Sequence, residues 1–169
     1  MSQIEAPVAT VHERLVRAKA ASRSIGRLSG AEKTRVLNAI ADALVDATAR
    51  IVAANGDDLE RGASTGLAVG LLDRLRLDDG RIAALAEAVR EVAVLPDPIG
   101  EVVRGHRSPT GVAIEQVRVP FGVIGAIYEA RPNVTVDIAA IALRSGNAVV
   151  LRGGTAAEAS NAVLVEIMR

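Results

Sequence analysis

Cysteine is missing from this 169-residue sequence, and so is tryptophan. With no thiol there is no disulfide framework, no zinc site of thiolate type and no cysteine nucleophile among these residues. The aromatic residues are Phe121 and Tyr128 alone, so a surface of interleaved rings for stacking on nucleic-acid bases has almost nothing to be made of. Neither sign of charge is in excess. The 20 basic and 20 acidic residues are interspersed, which leaves no basic footprint for nucleic acid or an anionic membrane. No span of ~20 apolar residues occurs. The stretch Met1–Ala20 mixes Glu5, Glu13, Arg14, Arg17 and Lys19 among its apolar residues, unlike the continuous hydrophobic region of a secretory leader. His12 and His106 have no second ligand at metal spacing and read as surface residues. Neither a Gly-x-Ser-x-Gly elbow nor a phosphate-binding Gly-x-x-x-x-Gly-Lys loop is present. The expectation is a cytoplasmic protein without a metal, a nucleic-acid partner or a membrane.

Half of the residues are hydrophobic and 24% are charged, the balance of a globular chain whose core must be aliphatic. Val11, Leu15, Ala18, Ser22 and Ile25 step by four and three, the spacing of one helical face. Ser29-Gly30-Ala31-Glu32 has the Ser-x-x-Glu pattern of a capping box. The helix it opens has a stripe at Leu37, Ile40, Leu44, Ala47 and Ile51, with Asn55-Gly56 as its expected left-handed stop. Asp57-Asp58 then reads as the start of a short helix ending near Gly62, because carboxylates favour the positive end of a helix dipole. Leu67, Leu71, Leu72 and Leu75 suggest a turn or two more. Asp78 or Asp79 can cap a helix with the stripe Ile82, Leu85, Val89 and Val92, closed by Pro96-Asp97-Pro98. Residues 1–98 are thus expected to form a helical part.

The period then changes. Ile99–Arg107 and Val112–Val119 are β-rich runs around Ser108-Pro109-Thr110-Gly111, which predicts a hairpin over 99–120. Its edges could pair with a second copy, making it the expected oligomerisation element. Gly122–Tyr128 and Ala148–Leu151 are nearly unbroken apolar runs of the kind found in parallel strands covered on both faces. Between them Val134–Arg144 carries a helical stripe at Val136, Ala139, Ala140 and Leu143, and a last helical pattern follows Gly153-Gly154. Residues 121–169 read β-α-β-α. The fold class is therefore α/β: a helical N-terminal part, a β-hairpin, then the start of a doubly wound parallel sheet. Two parallel strands leave apolar edges and faces open, so the expectation is a truncated domain or one that a partner completes.

The run Val119-Pro-Phe-Gly-Val-Ile-Gly-Ala-Ile-Tyr-Glu-Ala-Arg-Pro-Asn-Val-Thr-Val-Asp137 resembles the motif of the γ-glutamyl phosphate reductases, the proline-biosynthesis family of the aldehyde dehydrogenase superfamily. Leu143-Arg-Ser-Gly-Asn-Ala-Val-Val-Leu-Arg-Gly-Gly-Thr155 resembles the adjacent strand and glycine loop. Looser similarity runs through Arg17–Ser22, Ala53–Asn55, Leu71–Leu75 and Leu95–Glu101, so it spans most of the chain. The resemblance implies the N-terminal portion of such an enzyme, an incomplete NADP-binding domain, with NADPH as cofactor and γ-glutamyl phosphate as substrate.

Three sites follow from it. In the superfamily an asparagine soon after the Gly-x-x-Gly strand donates its amide to the developing oxyanion beside the catalytic thiol, and Asn133 matches it. A preorganised donor there is worth about 3 kcal/mol of barrier. By pattern alone Asn133 also suits a cap for a helix beginning near Val134, and the two roles could coexist. Arg131 follows the C-terminal end of a strand, where open α/β sheets bind ligands. Its guanidinium suits an acyl phosphate or an α-carboxylate, and a surface arginine is the plain alternative. Arg152-Gly153-Gly154 lies between strand and helix, where backbone can approach a ligand and a helix start favours an anion. The resemblance places NADPH there, with Arg152 near the 2′-phosphate. Composition alone gives only a turn, since the Gly-x-Gly-x-x-Gly fingerprint is absent.

The implied reaction has a cysteine thiolate attack the acyl phosphate, releasing phosphate, before hydride transfer yields glutamate 5-semialdehyde. These residues hold no such thiol, so the chain alone is expected to be inactive. A non-enzymatic truncated paralogue serving as a binding or assembly module is the competing expectation. A different acyl-phosphate or aldehyde dehydrogenase is a third, which Glu129-Ala-Arg-Pro-Asn133 argues against.

Overall fold

In chain order the elements of the computed structural model are α1 (Val11–Ile25), α2 (Gly30–Asp46), α3 (Thr48–Ser64), α4 (Val69–Leu75), α5 (Asp79–Val94), β1 (Val102–Arg107), β2 (Ala113–Val117), β3 (Val123–Ile127), α6 (Asn133–Arg144), β4 (Ala148–Arg152) and α7 (Glu158–Ile167). The structure describes residues 10–169. Residues 1–9, which open both the stretch considered as a leader and the helical part, lie outside the described residues. Side-chain caps begin three helices. Glu32 N donates to Ser29 Oγ at 3.3 Å while Ser29 N donates back to Glu32 Oε2 at 2.7 Å, a full capping box for α2. Thr10 and Glu13 do the same for α1. Asp78 accepts from Arg81 N at 2.8 Å for α5.

Two expectations fail in the helical part, for one reason. Asn55-Gly56 does not stop a helix: the break comes earlier, at Ala47 (φ −93°, ψ 10°), and α3 runs straight through both residues. Neither residue has a positive φ. The fully buried Asn55 carboxamide instead donates to Leu75 O at 2.8 Å and Ser160 Oγ at 3.0 Å, and accepts from Leu77 N at 2.7 Å. Nor does Asp57-Asp58 start a helix, since both lie inside α3. Asp58 is fully buried and accepts from Ala159 N at 3.1 Å, Ser160 N at 2.8 Å and Ser160 Oγ at 2.7 Å, with Arg61 pairing beside it. A carboxylate does sit at a helix start here, but the helix is α7.

The core is aliphatic. Leu37, Ala41 and Leu44 of α2 meet Ile82, Leu85, Ala86 and Val89 of α5, and the same cluster takes in Val136 and Ala140 of α6 and Leu164 of α7. Each fully buried leucine or isoleucine contributes roughly 1.5–3 kcal/mol. The helical part and the sheet part thus share one core. At its edge Lys33, fully buried, donates to both Asp97 oxygens at 3.0 and 2.9 Å. Arg144 donates to Gly30 O at 3.2 Å, Thr34 Oγ1 at 3.1 Å and Leu95 O. Burial opposes the Asp97 charge, but the Lys33 ammonium, the Ile99 amide and Arg144 outweigh it and hold the carboxyl below its usual range.

The strands follow the predicted pattern. β1 and β2 pair antiparallel across a turn closed by Ser108 N donating to Val112 O at 2.9 Å. Every residue of both strands is exposed. β3 and β4 pair parallel, from Val123 opposite Ala148 to Ile127 opposite Arg152. Between them α6 ends at Gly146, whose φ of 73° is the left-handed geometry that makes glycine the fitting stop. α1 and α6 both pack against β4.

Replacing Asp58 by alanine removes the acceptor from three donors, two of them fully buried on Ser160. Urea unfolding should show a loss of about 3 kcal/mol. The exposed neighbour Asp57 should tolerate alanine within about 0.5 kcal/mol.

Candidate functional site

The carboxyl ends of β3 and β4 bring the predicted site residues onto one edge. Past Ile127 the strand pairing continues for one bond, Tyr128 N to Arg152 O at 3.1 Å. The chain then turns through Glu129–Pro132, with Arg131 N on Glu129 O at 2.8 Å, and enters α6. Pro132 (φ −62°) is the residue at the N-cap and gives no side-chain cap. Asn133 is already helical, so its expected capping role is not realised. Its Nδ2 donates instead to Asp137 Oδ2 one turn on, at 3.0 Å. An amide nitrogen has two hydrogens, so this bond leaves one while fixing the orientation of the carboxamide. Burial raises the Asp137 carboxyl above its ordinary range, and the Asn133 bond offsets only part of this.

Arg131 and Arg152 are both exposed, and neither guanidinium has a hydrogen-bond or ion-pair partner among the described residues. Gly153 and Gly154 are not in the left-handed region; space is what requires them. A Cβ on Gly153 would lie 2.3 Å from Asn161 Nδ2 and 3.2 Å from Tyr128 Oη, and one on Gly154 would lie 3.3 Å from Glu129 Cα. A 3₁₀ turn, Thr155–Ala157, then leads into α7. In the first turn of α7, Ala159 N and Ser160 N are already held by Asp58 and are not open to a ligand anion.

A cleft of about 480 Å³ opens at this turn, lined by Tyr128, Leu151, Gly153, Gly154, Thr155 and Asn161, with Arg14, Arg169 and Glu158 also on its walls. A larger groove of about 660 Å³ runs between α1, β4 and α7, among Ile25, Ile40, Leu143, Val149 and Leu151. Its walls are mostly aliphatic, so the smaller cleft is the chemical candidate. Among the described residues no group of His, Cys, Asp and Glu could hold a metal ion, and no helix is long and apolar enough to cross a membrane.

Sequence reasoning missed Asp137, Thr135 and Asn161. The i,i+4 spacing of Asn133 and Asp137 was a usable local signal. Nothing local connects Thr135 or Asn161 to the glycine turn.

No protein-family model matches the chain. It is 64% identical over 153 residues to a γ-glutamyl phosphate reductase of Kineococcus radiotolerans, covering 90% of this chain and 35% of that one. With the γ-glutamyl phosphate reductase of Thermobifida fusca it shares 50% identity over 169 residues, covering 100% of this chain and 40% of the relative. The crystal structure of γ-glutamyl phosphate reductase from Thermotoga maritima matches with a TM-score of 0.90 at 38% identity, covering 93% of this chain and 38% of that one. At 19% identity, a salicylaldehyde dehydrogenase from Pseudomonas putida G7 matches with a TM-score of 0.68 over 93% of this chain and 30% of its own, a likeness of fold. The chain spans between 35% and 40% of the length of these two curated reductases.

Asp137→Asn keeps an acceptor for Asn133 and removes the half-buried charge. A carboxyl with a raised folded-state pKa holds its proton more tightly folded than unfolded, so it erodes stability as pH rises through that window. The Tm difference should be smallest below the ordinary carboxylate range and grow in favour of the variant above it. A difference independent of pH would contradict this account.

Proposed function

We infer that the chain belongs to the γ-glutamyl phosphate reductase family, of whose curated members it spans 35–40%, and has an aldehyde dehydrogenase fold. We propose that it carries the oxyanion-stabilising and part of the cofactor-binding machinery of an enzyme of proline biosynthesis. That enzyme reduces γ-glutamyl phosphate to glutamate 5-semialdehyde and phosphate with NADPH. The observation that supports this is the convergence of Asn133, Arg131 and Arg152–Gly154 at the carboxyl ends of two adjacent parallel strands, where open α/β sheets bind ligands.

In this reading Asn133 offers its remaining amide hydrogen to the oxygen that gains charge when the acyl carbon becomes tetrahedral, and Asp137 holds the carboxamide in that orientation. Arg131, exposed and unpaired, takes the acyl phosphate or the α-carboxylate. The residues at the glycine turn suit part of a dinucleotide. The cleft of about 480 Å³ lies within the usual range of roughly 300–1,000 Å³ for ligand sites. Arg152, exposed and unpaired between the lining residues Leu151 and Gly153, takes the 2′-phosphate in this reading. When bound, NADPH supplies the hydride. The thiol that forms the thioester is not among these 169 residues, so the chain by itself should show no turnover. The hairpin, exposed along both strands, is the self-association element in this reading, and residence is cytoplasmic.

Grafted in place of the matching segment of the Thermobifida fusca reductase, this chain should support NADPH-dependent reduction of γ-glutamyl phosphate. Asn133→Ala in the graft should lower kcat roughly 10²–10³-fold with little change in KM. A folded graft without activity would refute the proposal. Arg152→Ala should weaken NADPH binding about tenfold and NADH binding far less, since only NADPH has the 2′-phosphate.

A further inference from the structure

Three side chains join the helix that begins with Asn133 to the glycine turn. Tyr128, just past β3, shares a hydrogen bond with Thr135 of α6, and Thr135 Oγ1 donates to Asn161 Oδ1 of α7 at 2.7 Å. A threonine hydroxyl has one hydrogen. Because it goes to Asn161, Tyr128 must be the donor to Thr135, and the string runs in one direction from Tyr128 to Asn161. Thr135 is fully buried, so its bonds are not exchanged for water. With Oδ1 accepting from Thr135, Nδ2 is left against Gly153. There it occupies the room that a side chain would fill, 2.3 Å from where a Cβ would stand.

That nitrogen is a double donor with no acceptor among the described residues, and Asn161 lines the 480 Å³ cleft. The Ala159 and Ser160 amides of α7 cannot serve, since Asp58 holds them. Arg14 and Arg169 on the cleft walls outnumber Glu158, a balance that suits an anionic ligand. We propose that Asn161 is a nucleotide-binding residue of this cleft, its carboxamide aimed by Tyr128 and Thr135 so that Nδ2 donates to an oxygen of the phosphate-bearing ribose. Thr135 is then a positioning residue that links the helix of Asn133 to the cofactor turn. The inference rests on the reading of this cleft as a nicotinamide dinucleotide site and adds a side-chain donor to it.

The test is calorimetric titration of the 169-residue chain with adenosine 2′,5′-bisphosphate. Asn161→Ala should bind about tenfold more weakly than wild type. Thr135→Val should bind about threefold more weakly or worse, and Thr135→Ser, which restores the hydroxyl, should recover wild-type affinity. In wild type the Asn161 side-chain amide signals in nitrogen-proton NMR spectra should shift on ligand addition, a readout that needs no variant to fold. Unshifted signals, or Asn161→Ala affinity equal to wild type while Arg152→Ala weakens binding, would overturn the role of Asn161 and leave the cofactor reading standing. No binding by wild type, or binding insensitive to Arg152→Ala and Asn161→Ala alike, would overturn the cofactor reading itself.

Discussion

Asp58 sits at zero exposure in the middle of α3, more than a hundred residues from the amides it accepts. An unpaired buried carboxylate is strongly unfavourable. Two amides, a hydroxyl and the Arg61 guanidinium offset that cost, and the positive end of α7 adds to it. The consequence is positional. Fixing the start of α7 against α3 fixes where the 3₁₀ turn lies, and with it Gly153-Gly154 and the end of β4. Arg152 is therefore placed by a residue in the helical part. Asn55, one turn earlier on α3, extends the seam through Ser160 to Leu75 and Leu77.

α6 is held in a comparable way at both ends. At its carboxyl end Arg144 reaches the start of α2 and the chain after α5, beside the buried Lys33–Asp97 pair. Arg144 Nε remains buried without a partner, a local cost that the other bonds of the same guanidinium outweigh. At its amino end Thr135 is tied to Tyr128 and Asn161. Asn133 lies two residues ahead of Thr135, with its carboxamide turned by Asp137. Preorganisation of this kind is what lets a donor act on developing charge without first having to reorient.

The surface is less finished than the interior. Both strands of the hairpin are exposed throughout, and Phe121 is 91% exposed. On α1, Leu15 and Val16 are about half exposed, at 47% and 55%. Apolar surface on this scale is the mark of faces that other protein covers, in a chain spanning 35–40% of the length of its curated relatives.

Local chemistry alone settled much of this molecule. Ser29 and Glu32 box the start of α2, Asp78 caps α5, Gly146 ends α6, and the apolar runs around Ile124 and Val149 become the paired parallel strands. In each case the decisive partner lies within a few residues or in the period of the pattern itself. Asn55 and Asp58 came out differently from their local signals. Asn-Gly is a stop and a paired aspartate a helix start only when nothing distant competes. Burial made the distant partners stronger, because a polar group removed from water must bond to whatever the fold brings beside it. The meeting of Tyr128, Thr135 and Asn161 over Gly153 belongs to the same class. Sequence determined the elements and the residue types at the strand ends. Only the packing of α7 against α3 and α6 decided which of those groups are already committed and which still face the cleft.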